Sequence, residues 1–219
     1  MFPEGINGQW NDGREFRRSG VDDVGFLKRL AGELASRGIA DPTRLYIAGI
    51  SNGGMMTFRV LCEASELFAG AGTIIASMPV GAGENCRLKK PVPVVMFNGT
   101  ADPLVPYEGG EVGFRGERGS VWAVERTAAF LARSNGCGEH SELLLSSGSR
   151  ADAVKVMKLD WSACTSGQTI TLYRLEGGGH QVFGRGRSAF PAILGPGTNQ
   201  ISAPKTIMGA FAAQKMTPQ

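Results

Sequence analysis

The sequence predicts an α/β fold built on a mostly parallel sheet. Three observations carry that expectation. Apolar segments of strand length alternate with stretches of helical period along the chain. The segment 92–98 (VPVVMFN) is almost wholly apolar, as a strand covered on both faces must be. No internal repeat, low-complexity tract or linker divides the 219 residues, a length that suits one domain with a sizeable core.

The elements follow in order. A first helix is expected over 22–37: Asp22 can cap it, Val24, Leu27, Leu30 and Leu34 share a face, and Gly38 stops it. A turn at 40–43 (ADPT) leads into 44–48 (RLYIA), which reads as a buried strand. A glycine-rich turn at 49–54 then precedes a helix over 55–63, with Met56, Val60 and Ala64 at helical spacing. Strands are expected at 71–76 (AGTIIA) and 92–98, a helix over 120–134, strands at 154–159 (VKVMKL) and 169–175 (TITLYRL), and a last helix over 203–213. Met55, Met56, Met78 and Met96 read as core filler.

Composition narrows the function classes. Lys+Arg 23 against Asp+Glu 20 gives a net charge of +3, too small and too scattered for a nucleic-acid or membrane-surface protein. Apolar residues at 42% and charged residues at 20% exclude disorder. No apolar run approaches the roughly 18 residues of a membrane helix, and the start, MFPEGINGQWNDGREFRR, lacks the apolar stretch of a signal peptide. Glycine, at 32 residues, is about twice its usual ~7% share and clusters at turns. The four cysteines, at 62, 86, 137 and 164, have no C-x-x-C spacing and only two histidines for company, which argues against a zinc site. Two disulfides or four buried thiols remain, disulfides being preferred, and three connectivities are open.

Chemistry concentrates at Gly49-Ile50-Ser51-Asn52-Gly53, a G-x-S-x-G between a predicted strand and a predicted helix. That context is the one a nucleophile elbow needs: the serine sits on a tight turn, small flanking residues let the backbone pass, and the following helix points its positive end at the site. Ser51 is the candidate nucleophile, and the Asn52 main-chain N–H is placed to donate to an oxyanion. Of the two histidines, His140 lies in a polar stretch and reads as a solvated loop residue. His180 follows the 169–175 strand and three glycines, past a strand's C-terminal end, where sites assemble in open α/β sheets. Asp102 ends the most apolar strand and is the candidate carboxylate; Asp152 sits in a polar loop, and Asp160 is crowded by Trp161. Ser51, Asp102, His180 is the chain order of the α/β-hydrolases.

GISNGGMMTFRVLCEASELFAG (49–70), NGTADPLVPYEGG (98–110) and GGGHQ (177–181) resemble the polyhydroxybutyrate depolymerase and feruloyl esterase family, related to carbohydrate esterase family one. VDDVGFLKRLAGELASRGIADPTRLYIAG (21–49) resembles the run before its elbow, and the likeness extends over roughly 3–213. The resemblance implies an α/β-hydrolase fold with helices on both faces, Ser51 as nucleophile, His180 as general base, Asp102 as its orienting acid, and neither metal nor organic cofactor. The Cys62 and Cys86 positions, and Cys137 with Cys164, resemble places where secreted relatives carry disulfides. It also implies a secreted or periplasmic full-length protein.

Two departures stand out. The family often has a tryptophan and a proline after the histidine, where this chain has Gln181-Val182-Phe183; these three and Trp10 are the candidate pocket residues. The strands that precede the elbow strand in the family, and the His-Gly loop supplying the second oxyanion amide, have no counterpart before Ser51. Residues 2–13 resemble the family just after its fourth strand, so residues 1–219 read as one catalytic domain incomplete at its N-terminus. An open apolar edge at 44–48 follows, and the two readings of it are a truncated gene product or a chain whose missing edge a second copy completes. Arg14, Arg17, Arg18, Arg185 and Arg187 read as solvated loop charges, the last two near enough to His180 to meet an acidic substrate.

A serine carboxylester hydrolase is the leading expectation, acting on small soluble short-chain acyl, aryl or hydroxyalkanoate esters. Alternatives are a feruloyl or acetyl xylan-type esterase, a prolyl-oligopeptidase-like peptidase, and a catalytically impaired scaffold that binds a partner.

Overall fold

The computed structural model describes residues 1–14, 20–150, 152–186 and 190–214. Arg17, Arg18 and Arg187 lie outside them. The chain opens with a loop and helix α1 (Asp23–Ser36), whose first turn is capped by Asp22 accepting from the Gly25 N–H at 2.7 Å. Strand β1 (Tyr46–Ile50) runs directly through Ser51 into α2 (Asn52–Ala64). Then come β2 (Gly70–Ile74), the short α3 (Val80–Glu84), β3 (Val94–Gly99), a hairpin of β4 (Gly110–Glu111) and β5 (Ser120–Val121), and α4 (Val124–Ser134). The chain continues with β6 (Ser141–Ser146), β7 (Lys155–Trp161), β8 (Ile170–Glu176), the single turn α5 (Pro191–Leu194) and α6 (Ala203–Ala213).

Six strands form one sheet in the order β1-β2-β3-β8-β7-β6. The first four are parallel, and β7 and β6 close it antiparallel. The parallel strands are apolar on alternate residues of both faces, and each face has its own core. Ala71, Val94, Met96, Ile170 and Leu172 pack against Met55, Phe58 and Leu61 of α2 and Val124, Ala128 and Leu131 of α4. Ile74, Phe97 and Leu175 turn the other way, onto Ala203, Ile207 and Phe211 of α6. Helices therefore cover both faces of β2, β3 and β8, which forces these strands to read as near-continuous apolar runs. Strand β1 is half-buried to exposed and is not the buried strand expected at 44–48. The four methionines assigned to the core are all buried.

Helix α1 packs on the outer side of α2 through Val24, Met56, Val60 and Ala64. Among the described residues strand β1 pairs with β2 alone, and Ile50 at its C-terminal end is 45% exposed. Two disulfides, Cys62–Cys86 and Cys137–Cys164, select one of the three connectivities. No helix among the described residues is long and apolar enough to cross a membrane.

Three local expectations are corrected. The glycine turn at 49–54 is tighter than its composition suggests, since α2 begins at Asn52 rather than Met55. The 120–134 helix begins only at Val124, because Ser120 and Val121 pair with β4 and the Trp122 N–H donates to the Met78 carbonyl at 2.8 Å. Strand β6 was not expected: SELLLS has no period-two alternation, and Leu143, Leu144 and Leu145 are all about half exposed. Pairing with β7, Leu144 opposite Met157, makes the strand where local pattern does not.

Candidate active site

Ser51 occupies a backbone conformation of φ 53°, ψ −120° between β1 and α2. A non-glycine residue there is strained, and its surroundings must hold it. They do so through the Ser51 N–H, which donates to the Ile74 carbonyl at 2.9 Å, and the Ser51 carbonyl, which accepts from the Met55 N–H at 3.0 Å. The strand and helix approach so closely that a Cβ on Gly49 would sit 2.1 Å from the Gly53 carbonyl oxygen. That close passage is the physical reason for the first motif glycine.

The Ser51 hydroxyl caps nothing in α2. It lies 3.1 Å from His180 Nε2 instead. On the other side of the ring, His180 Nδ1 is 2.8 Å from Asp102 Oδ2. A carboxylate only accepts, so Nδ1 carries the proton and the Nε2 lone pair faces the serine. Asp102 is itself fixed: its Oδ1 accepts from the Leu104 and Val105 main-chain N–H groups, both at 2.8 Å. The turn-capping and histidine-orienting readings of Asp102 are therefore compatible, one oxygen serving each. Asp102 and His180 side chains are 2% and 11% exposed, so the pair works largely out of water.

The loops bearing these residues follow the C-terminal ends of β3 and β8, which are parallel neighbours. They are laced together by the Thr100 N–H to Leu175 carbonyl bond at 3.0 Å and the Ala101 N–H to Gly178 carbonyl bond at 2.9 Å. The His180 N–H donates to the Leu194 carbonyl at 2.6 Å. The other carboxylates are engaged elsewhere: Asp160 accepts from Thr171 Oγ1, and Asp152 from Thr198 Oγ1. His140 is exposed, bonded to Glu142 and in contact with the Trp161 ring.

The Asn52 N–H, at the first position of α2, has no acceptor among the described residues. It is thus available at the positive end of a helix of 13 residues. Of the pocket candidates, Trp10 lies beside the elbow, its indole Nε1 3.8 Å from where a Gly53 Cβ would sit. The other three are corrected. Phe183 is fully buried in the core with Phe97 and Leu175. Val182 is half-buried and packs against the same cluster. Gln181 is buried and donates to the Gly195 carbonyl at 2.9 Å, tying the histidine loop to the end of α5. An apolar triplet at a loop's start reads equally as wall or core, and here its side chains turn inward.

Arg14 is not the solvated charge its loop position predicts. Its side chain is 9% exposed and pairs with Asp12 at 2.7 Å. Arg185 is exposed. Sequence reasoning missed Asp12, 4% exposed, which joins Arg14 to the Asn52 side chain. The cue available in sequence was a D-G-R at a turn, which is common in solvated loops.

Fold and site together give an α/β-hydrolase fold in which a serine, a histidine and a carboxylate are in hydrogen-bond contact in that order. Residues 7–82, around the elbow, match the prolyl oligopeptidase family. The chain is 27% identical over 216 residues to NocK of Nocardia uniformis subsp. tsuyamanensis, assigned as an esterase, covering 94% of this chain and 62% of that protein. It is 29% identical over 164 residues to feruloyl esterase B of Piromyces equi, covering 73% of this chain and 29% of that one. The chain thus spans less than two-thirds of the length of either relative. Among solved structures, the acetyl xylan esterase from Aspergillus awamori superposes with a TM-score of 0.51 at 14% identity, over 79% of this chain and 68% of the other. That likeness is one of fold.

Proposed function

We propose that the chain is a serine carboxylester hydrolase. One observation carries this reading: the continuous path from Asp102 Oδ2 to His180 Nδ1 at 2.8 Å, and from His180 Nε2 to Ser51 Oγ at 3.1 Å. In the proposed reaction Ser51 Oγ attacks the ester carbonyl carbon while His180 Nε2 takes its proton. The carbonyl oxygen becomes an oxyanion facing the Asn52 N–H and the end of α2. Collapse breaks the ester C–O bond, His180 returns the proton to the departing alcohol, and an acyl-enzyme remains. Water, deprotonated by the same nitrogen, then attacks the acyl carbon; the Ser51 Oγ–C bond breaks, His180 returns that proton to Oγ, and the acid leaves. Asp102 holds the imidazole orientation throughout and stabilises its charged form. Small acyl, aryl or hydroxyalkanoate esters are the substrate class proposed, with feruloyl and acetyl sugar esters the nearest alternative, as the names of the similar proteins suggest.

A second reading, a serine peptidase, is favoured by the prolyl oligopeptidase match around the elbow. Parallel assays on p-nitrophenyl acetate, methyl ferulate and a proline p-nitroanilide separate the two. Ester turnover abolished in Ser51→Ala, with no amide turnover, is the result expected. Absence of both turnovers, and of a fluorophosphonate adduct on Ser51, sinks the enzyme reading and leaves a scaffold that binds a partner.

The two disulfides fit an oxidising compartment, and we read the protein as secreted or periplasmic. The open edge of β1, with Ile50 half exposed, is proposed to receive a strand from a second copy. A monomer mass by light scattering across a concentration series discards that part.

A further inference from the structure

The residue after the nucleophile sends its side chain away from the site. Asn52 Oδ1 accepts from the Trp10 N–H at 2.6 Å, and Asn52 Nδ2 donates to the Trp10 carbonyl at 3.1 Å. The same Nδ2 donates to Asp12 Oδ2. All three bonds span at least 40 residues of sequence and join the first turn of α2 to the loop 10–12. Asp12 is held in turn: Arg14 Nε and Nη2 bind its carboxylate at 3.0 and 2.7 Å, and it is 4% exposed. The loop itself is bolted down on both sides. The Asn11 N–H donates to buried Asp23 of α1 at 2.6 Å, and Arg59 of α2 donates to the Asn11 carbonyl at 2.7 Å.

This network stands where the helix lacks support of its own. Ser51 is the N-cap of α2 but its hydroxyl makes no cap bond, and the first N–H groups of a helix have no internal acceptor. The direction of the Asn52 N–H depends on how the 51–52 peptide is oriented, and the Asn52 side chain is the tether closest to it. Asp12 at the centre is buried and the side chains around it are half-buried, and a polar network whose members are satisfied by one another restrains them.

The geometry points to Asp12 and the Asn52 side chain as positioning residues that aim the Asn52 main-chain N–H at the oxyanion. This inference rests on the ester hydrolase reading above. Neither side chain touches substrate in it; both act through the one amide. Asn52→Ala keeps that amide and deletes the tether. Asp12→Asn keeps shape and one acceptor oxygen but gives up the charge that binds Arg14. Misaiming a donor is worth less than removing one, which takes roughly 100- to 1000-fold from kcat.

The experiment is steady-state hydrolysis of p-nitrophenyl acetate by wild type, Asn52→Ala, Asp12→Asn, Asp12→Ala and the Asp12→Ala/Asn52→Ala double variant, with circular dichroism for folding. The expected result is a kcat about 10- to 100-fold lower in Asn52→Ala and Asp12→Ala, a smaller loss in Asp12→Asn, and KM within about 3-fold. The double variant loses no more than the worse single one, because both act through one amide. The pH profile of kcat/KM keeps its shape, since Ser51, Asp102 and His180 are untouched. A folded Asn52→Ala with wild-type kcat overturns the inference, as does a double variant whose losses multiply. If Asn52→Ala does not fold, Asp12→Asn carries the test, and wild-type kcat there overturns it equally. Wild-type protein without turnover overturns this inference together with the ester hydrolase reading, whereas turnover with insensitive variants overturns this inference alone.

Discussion

A Cβ built on Gly99, the last residue of β3, would lie 2.2 Å from the carbonyl oxygen of Gly178, just past the end of β8. These two backbones carry Asp102 and His180 respectively, so their contact sets the spacing of the carboxylate and the imidazole. No L side chain fits that gap without moving one loop. Gly99→Ala is expected to destabilise the protein by about 1–3 kcal/mol, as overpacking generally does. The larger effect falls on activity, because a displacement of roughly 1 Å between reacting groups can take 100-fold from the rate. Thermal unfolding and kcat on one preparation check this; a wild-type kcat in Gly99→Ala means that the two loops move independently.

Asp102→Asn separates orientation from structure. The amide oxygen can still accept from the Leu104 and Val105 N–H groups, so the turn after β3 is retained. The amide nitrogen then faces His180 Nδ1, which must become an acceptor, so Nε2 holds the ring's one proton and has no lone pair to take the proton of Ser51. The same exchange in serine proteases lowers kcat by about 10⁴-fold, and a similar loss with near-wild-type melting is expected here. The rate of fluorophosphonate labelling at Ser51 falls in parallel. Labelling at the wild-type rate means that Asp102 serves the turn alone.

The elbow was legible because its determinants are local: Gly49, Ser51 and the switch from strand to helix lie within a few residues. Asp102 and His180 were legible through position, each just past the end of an apolar strand, and through chain order. What escaped is non-local. Strand β6 exists by pairing with β7, and nothing in Leu143-Leu144-Leu145 announces a strand. Phe183 and Val182 look like pocket residues from their place after the histidine, yet the chain turns them into the core beside Phe97. The Asp12–Asn52 contact spans 40 residues, and a turn aspartate next to Gly13 resembles any solvated loop until the fold buries it.

The disulfides cross-link loops of similar size in unlike places. Cys62–Cys86 spans 24 residues and ties α2 to the segment after α3. Cys137–Cys164 spans 27 and ties the end of α4 to the β7–β8 connection. Chain-entropy reasoning gives about 3–4 kcal/mol for either. Since α2 follows the serine directly, losing the first bond is expected to lower activity as well as stability. Losing the second leaves kcat close to wild type at temperatures where the variant is folded. Paired Cys→Ala variants, assayed by melting and ester turnover, check the difference, and equal kcat losses in both discard it.

Stability should fall on the alkaline side above about pH 10. Tyr107 is 6% exposed, and burial together with the carboxylate of Glu125, which accepts its hydroxyl proton at 2.9 Å, pushes its phenol well above the ordinary value near 10. Tyr173 is raised too, by burial and by Asp160, but it is only half-buried. A folded-state pKa above the unfolded one means that the native protein holds the proton more tightly. The associated stability is fully present below about pH 10 and is lost as pH rises past the unfolded tyrosine's pKa. With no free cysteine, thiolate attack on the disulfides does not start from within the chain. Urea midpoints measured between about pH 9 and 12 should therefore hold up to about pH 10 and fall beyond it for the wild type. The fall should be flatter for Tyr107→Phe than for Tyr173→Phe, because the deeper phenol contributes the larger share. At neutral pH, Tyr107→Phe loses only the bond to Glu125, about 1 kcal/mol. An alkaline limb that is as steep in Tyr107→Phe as in the wild type assigns the loss to other groups, and the buried phenol then has no part in it.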